Sequence, residues 1–242
     1  MLVGSTCAVS TASHAALMLA ATVNGGNVCA VDGNTPCSFG TQVTDLSPGA
    51  NGMLIIGSPG DPPFNGVLIS GSVQRSVHGN PDILDSSSLS VTNTTNSTVH
   101  ILVAVGDTDF TQANSFFTSG SGSFQLSKGS TLTQRWYLDT SNGQGGLSTA
   151  STPGALIDTF TVTATTPAFS FSHNGGPFAI NAPGPYSMTL YYEYDLLPGG
   201  SIISRGQQEI ATGEVPEPAS ITLFGLAGLG LWCLQTKRRR NV

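Results

Sequence analysis

Ser187-Met188-Thr189-Leu190-Tyr191-Tyr192-Glu193-Tyr194-Asp195-Leu196 decides the fold class. Met188, Leu190, Tyr192, Tyr194 and Leu196 alternate with Ser187, Thr189, Tyr191, Glu193 and Asp195. A period of two places the first set on one face of a strand and the second on the other. Val99, Ile101, Val103 and Val105 alternate in the same way, with His100 on the opposite face. Working outward, residues 17–23, 53–56, 67–73, 89–92, 123–127, 131–138, 156–164, 168–172 and 202–210 read as further strands. Gly, Pro, Ser and Asn clusters separate them. No stretch before the last 27 residues combines a helical period with caps. The expected fold is mainly β, a β-sandwich or jelly-roll-like domain over residues 16–210.

Composition bounds the partners of that domain. Its basic side chains are Arg75, Lys128, Arg135 and Arg205, and all of the chain's 14 acidic residues except Glu214 and Glu217 lie in it. The whole-chain charge of −6 is softened by a basic C-terminus. A nucleic-acid partner needs a basic face to neutralise phosphates, and none is present. With charged residues at 9% of the chain, solubility rests on hydroxyls and amides.

The tail carries its own signals. Val215-Pro216-Glu217-Pro218 must be extended, because each proline fixes φ and lacks an N–H. Ser220 is suited to cap a following helix. Residues 219–236 carry no charge, and as a helix they span about 27 Å, just short of a bilayer core of about 30 Å. Lys237, Arg238, Arg239 and Arg240 make up the difference by snorkelling and predict a cytoplasmic C-terminal end. The expectation is a single transmembrane helix through residues 219–236, with the body outside the inner membrane. Residues 211–214 read as a short linker to this segment of 215–240.

The extended Pro-Glu-Pro, the Leu/Gly/Ala-rich span and the cationic stop, in that order, resemble the PEP-CTERM sorting domain. The resemblance covers about a tenth of the chain. It implies processing by exosortase, a transpeptidase-like membrane enzyme of Gram-negative bacteria that make extracellular polysaccharide. On that analogy Val215, Pro216, Glu217 and Pro218 are a substrate's recognition motif, not catalytic groups. The implied course is export, transient anchoring, and release or attachment at the envelope. It leaves the activity of the body open.

At the other end, residues 1–15 close on Ser13-His14-Ala15, which resembles a small-x-small signal-peptidase site. No Lys or Arg precedes it, so the expectation is a signal peptide truncated at its charged front. Of four cysteines, Cys7 and Cys233 fall in these terminal segments. Cys29 and Cys37 flank a turn-forming Asp32-Gly33-Asn34-Thr35-Pro36 and are expected to pair in an oxidising compartment. A metal reading needs more ligands than two thiols.

Chemical motifs are sparse. Asp107 and Asp109 are spaced like the start of a calcium loop, but Phe110 and the missing Gly/Glu continuation break the pattern. Solvated turn residues are the plainer reading, and no metal site is expected. No zinc-protease, nucleophile-elbow or phosphate-loop motif occurs, and no cofactor motif. His78, His100 and His173 stand singly. Asp158 and Glu193 leave open a paired-carboxylate glycosidase. Trp136, Tyr137, Tyr191, Tyr192 and Tyr194 fit either a sugar-stacking platform or ordinary core and cross-strand packing. Gly106-Asp107-Thr108-Asp109-Phe110 and Trp136-Tyr137-Leu138-Asp139-Thr140 loosely resemble β-sandwich bodies common among PEP-CTERM proteins. Asn93-Thr94-Thr95 and Asn96-Ser97-Thr98 match the glycosylation pattern, which suggests a polar, exposed segment. The expected function is a non-enzymatic structural or adhesive protein of an extracellular polysaccharide matrix or biofilm. The alternatives are a carbohydrate-active enzyme and a glycan- or calcium-binding module.

Overall fold

The computed structural model describes residues 17–37, 39–47, 49–57, 63–79, 81–111, 113–144 and 154–212. They form a β-sandwich of two sheets. The strands are β1 (Met18–Val23), β2 (Gly26–Val31), β3 (Thr41–Gln42), β4 (Met53–Ile56), β5 (Val67–Val77), β6 (Asp82–Asn93), β7 (Val99–Phe110), β8 (Ala113–Gln125), β9 (Thr131–Asp139), β10 (Ala155–Thr163), β11 (Ala168–Ala182), β12 (Tyr186–Leu196) and β13 (Ser201–Thr212). One sheet, here sheet A, has the order β10-β9-β12-β7-β1-β2-β3. Sheet B has the order β11-β8-β13-β6-β5-β4. Every neighbouring pair is antiparallel except β2 with β3.

β12 lies inside sheet A, between β7 and β9. Its alternating set Met188, Leu190, Tyr192, Tyr194 and Leu196 is fully buried. Val99, Ile101, Val103 and Val105 of β7 are buried beside it, and His100 points out. Trp136, Phe110, Phe116, Phe124 and Tyr186 supply the other large core side chains. Their removal from water is the main driving force for joining the sheets.

Several strands run further than the sequence suggests. β6 begins at Asp82, β8 at Ala113, and β11 continues to Ala182. The added parts are rich in Ser and Gly, which carry weak strand propensity; those of β6 and β8 are held by neighbours on both sides, and that of β11 by β8 alone. The hairpin β1–β2 turns on Asn24 (φ 47°) and Gly25 (φ 80°), the left-handed pair that suits a two-residue hairpin loop. β13 extends through Thr212, so Ala211 and Thr212 belong to the sheet and not to a linker. Asn93 is also corrected: it is fully buried, because it closes the β6 end with five hydrogen bonds. Residues 1–15 and 213–242 lie outside the described residues, so the expected signal peptide, sorting motif, membrane span and basic stop do too. Among the described residues, no helix is long and apolar enough to cross a membrane.

Candidate functional site

The middle of sheet B is polar through its thickness. On the inner face one cross-strand row reads Gln74, Ser86, Gln207, Gly120 and His173. Gln74, Ser86 and Gln207 are fully buried. Gln134 of β9 reaches across the sandwich and rests on Gly120, where a Cβ would collide with its Oε1. Gln207 Nε2 donates to the Arg135 carbonyl at 2.9 Å, tying the sheets together. In the next inner row Leu84, Glu209, Thr118 and Gly175 stand side by side. Glu209 is fully buried, and neither carboxyl oxygen finds a hydrogen-bond partner among the described residues. Burial pushes its pKa well above the ordinary glutamate range.

The open flank of the sandwich is closed by a clasp. Asp158 of β10 accepts from Thr118 Oγ1 and contacts His173 Nε2 at 2.8 Å, on the same carboxylate oxygen Oδ2. The His173 ring stacks on Phe160, with centroids 4.7 Å apart, and lies against Trp136. The space for this cluster comes from Gly175, since a Cβ there would meet Asp158 and Thr118. Thr118 and His173 share an oxygen of Asp158 and form no nucleophile–base pair of the kind a hydrolase needs.

On the outer face the row beside the seam holds Asn174 and Ser119 on one side and Asp85 and Arg75 on the other, in register through β13. Asp85, Ser119, Ser121, Ser172, Asn174 and Gly206 line a groove of about 250 Å³. Hydroxyl and amide groups dominate its walls. Burial raises the Asp85 pKa, partly opposed by the Arg75 charge. A second hollow of about 210 Å³, lined mostly by apolar side chains such as Leu19, Val28, Ile56, Phe64 and Val67, lies near the other end of the strand order.

The acidic segments of β7 and β9 meet at one end of sheet A. Asp109, at φ 64°, accepts from Asn142 Nδ2 at 2.7 Å, and its N–H donates to Asn142 Oδ1. Asp139 accepts from Ser141 and Gly143. Asp107 contacts His78 Nε2 at 3.1 Å and accepts from the Thr108 N–H. The hydrogen bond to Asp107 raises the His78 pKa against an opposing effect of burial. Asp82 accepts from the buried Tyr186 hydroxyl at 2.8 Å. Asp107 and Asp109 lie within β7 and Asp107 is buried, so they are not the solvated turn residues expected from the sequence; their hydrogen bonds tie neighbouring segments to the strand. Among the described residues there is no cluster of three His, Cys, Asp or Glu able to hold a metal ion.

The remaining sequence candidates separate. Asp158 faces the core at the β10 edge, whereas Glu193 lies on the outer face of sheet A, 2.8 Å from Arg135. They do not form a catalytic pair. The aromatic platform is dismantled by strand parity: Trp136, Tyr192 and Tyr194 are in the core. Tyr137 and Tyr191 form a covered edge-to-face pair on the outer side, with Arg135 over Tyr191. Cys29 and Cys37 are joined in a disulfide, and both pack in that same outer cluster. The groove residues Asp85, Ser119, Ser121, Ser172 and Asn174 were not singled out by the sequence. Their signal was the alternation in Ser119-Gly120-Ser121-Gly122-Ser123 and in Ser170-Phe171-Ser172-His173-Asn174, where small or hydroxyl side chains leave room on one face.

Residues 214–240 match the PEP-CTERM protein-sorting motif. The chain therefore carries the signal of an exported protein sorted by exosortase, with membrane-associated processing before its envelope or extracellular destination. No curated protein matches the chain. Three solved structures are similar in part. A carbohydrate-binding module, TmCBM61 in complex with β-1,4-galactotriose, shares 6% identity at TM-score 0.32, over 52% of this chain and 80% of its own. The K3 cleaved adhesin domain of Lys-gingipain from Porphyromonas gingivalis W83 shares 11% at 0.32, over 67% and 92%. The adhesin domain of Epf from Streptococcus pyogenes shares 9% at 0.31, over 67% and 56%. At these scores the likeness carries no conclusion about ligand or activity.

Proposed function

We propose that this chain is a non-enzymatic structural or adhesive protein of the extracellular polysaccharide matrix. The body is the β-sandwich. Residues 219–236 hold it transiently in the inner membrane until exosortase acts at Val215-Pro216-Glu217-Pro218. The outer face of sheet B then contacts polysaccharide through the groove over Asp85, Ser119, Ser121, Ser172 and Asn174.

One observation carries the reading of the body: a groove walled by hydroxyl and amide groups on an open sheet face. The serine hydroxyls and the Asn174 amide exchange hydrogen bonds with sugar hydroxyls at little desolvation cost, and Asp85 adds one strong acceptor to the wall. The separation of Asp158 from Glu193 supports a non-enzymatic role over the carbohydrate-active enzyme.

The test uses the full chain in a host that makes both exosortase and matrix polysaccharide. Wild type and Ser121→Tyr, which fills the groove, are compared for retention in the washed matrix. The wild type is expected to be retained and the variant to pass into the medium, with both released from the inner membrane equally. Equal retention of the two would remove the groove from the reading. Full-length, membrane-bound chain in the exosortase-producing host would remove the sorting step.

A further inference from the structure

Among the described residues the sandwich has four sheet edges, and three of them are blunted. β3 has two residues and β4 has four. β11 is long, but it is interrupted at Gly175-Gly176-Pro177, where its register with β8 shifts. Short or broken edges offer little template for another strand. β10 differs. Its sequence, Ala155-Leu156-Ile157-Asp158-Thr159-Phe160-Thr161-Val162-Thr163, contains no Lys, Arg, Pro or Gly. Its one register shift lies between Leu156 and Asp158, and from Asp158 to Thr163 the ladder with β9 is regular. Its only ionisable side chain, Asp158, is turned inward into the clasp with His173 and Thr118, so the bulge and this charge guard the first half of the strand and the open part of the edge is residues 159–163. Leu156 is half exposed.

We propose that β10 is an assembly edge and that its partner is β10 of a second copy of this chain, paired antiparallel about a two-fold axis near Thr161. Two features of the strand favour its own copy over an unrelated partner. An antiparallel pairing about Thr161 sets Thr159 against Thr163 and Phe160 against Val162, so each face meets its own kind and no like charges oppose. The outer hydroxyl row already extends across strands, since Thr161 and Thr133 share a hydrogen bond at 3.0 Å. A second copy continues that row. The N–H of Thr159 keeps a local bond to Asp158 Oδ1, so the new ladder is short. β11 lies over β10 on the same flank, through the contacts of Phe160 with Phe171 and His173. The two-fold operation therefore brings the edges of both sheets towards their copies, and a closed dimer results.

The test is cross-linking of the full chain exported in its host, in a Cys7→Ser, Cys233→Ser background. Thr159→Cys, Thr161→Cys and Thr163→Cys are made singly, with Gln42→Cys on the opposite edge as control. A short bis-maleimide is expected to give a band of twice the chain mass at one or more of the three β10 positions and none at Gln42. Adding Thr159→Lys and Thr163→Lys together to Thr161→Cys sets a lysine directly opposite a lysine on each side of the axis and is expected to reduce that band at least about fivefold. An unchanged melting temperature shows that the fold survives the lysines. If the lysine pair unfolds the chain, Thr159→Glu with Thr163→Glu takes its place. No doubled band at any β10 position, or an equal one at Gln42, overturns the proposal. A cross-linked band of another mass overturns the second copy as partner and assigns the edge to a different protein.

Discussion

Glu209 offers the sharpest test of the polar seam. It is fully buried on β13 beside Thr118 and Leu84, and neither oxygen has a partner among the described residues. Burial, with no compensating charge, raises its pKa well above the ordinary glutamate value of 4.5. The folded chain thus holds a proton that the unfolded chain releases above that value. Stability contributed by the neutral carboxyl is fully present below the unfolded pKa and is lost as pH rises towards the native one. The slope is about 1.4 kcal/mol per pH unit, which amounts to about 2.5 kcal/mol between pH 5 and pH 7 while the native group stays protonated. Glu209→Gln keeps the shape and removes the titration. Urea unfolding of both chains at pH 5 and pH 7, followed by tryptophan fluorescence, measures the effect. The variant should gain on the wild type between the two conditions, by up to about 2.5 kcal/mol. A difference between the chains that is the same at both pH values would refute the reasoning. It would mean that Glu209 is solvated or ion-paired in the folded chain.

Two further outcomes follow from the same kind of accounting. Asn93→Ala removes the side chain that donates to the carbonyls of Ser97, Leu196 and Leu197 and accepts from Thr95. It is expected to destabilise by about 3 kcal/mol and to lower the melting temperature by about 10 °C, measured by circular dichroism. His78 has a raised pKa through its hydrogen bond to Asp107, so that bond stabilises the fold below about pH 6.5 and is lost as pH rises through the native value. Asp107→Asn should lower the His78 pKa, read from its ring-proton shifts. An unmoved pKa would assign the shift to another group.

Strand parity explains what the sequence disclosed and what it hid. β12 was legible because its inward set is all Met, Leu and Tyr, and because it has neighbours on both sides. The seam was hidden because its members look like surface residues. Gln134 sits between Thr133 and Arg135, yet it shares the inward face with Leu132 and Trp136, two residues to either side. Parity placed it inside, and composition argued against it. Asp158 and His173 could not have been paired from the sequence, since they lie on edge strands of different sheets and meet only because β10 and β11 end up on one flank. The aromatic cluster misled in the opposite direction. Trp136 and Tyr137 are adjacent, so they must face opposite sides, and no single platform can hold both.

The position of β13 connects the body to the sorting tail. The motif begins at residue 214, two residues after the last residue of β13. β13 is not an edge: it pairs with β8 from Ser201 to Thr212 and with β6 from Ser201 to Ala211. A tether leaving a central strand loads two hydrogen-bonded ladders at once, and both must shear before the chain yields. A tether leaving an edge strand would load only one, and could peel it away bond by bond. On the proposed reading, the body is held and processed through its C-terminal segment without losing the strand that carries Gln207 and Glu209 into the core. The groove beside Gly206 lies on that strand, so on the proposed reading a load between tail and polysaccharide would pass along β13 and leave most of sheet A outside its path.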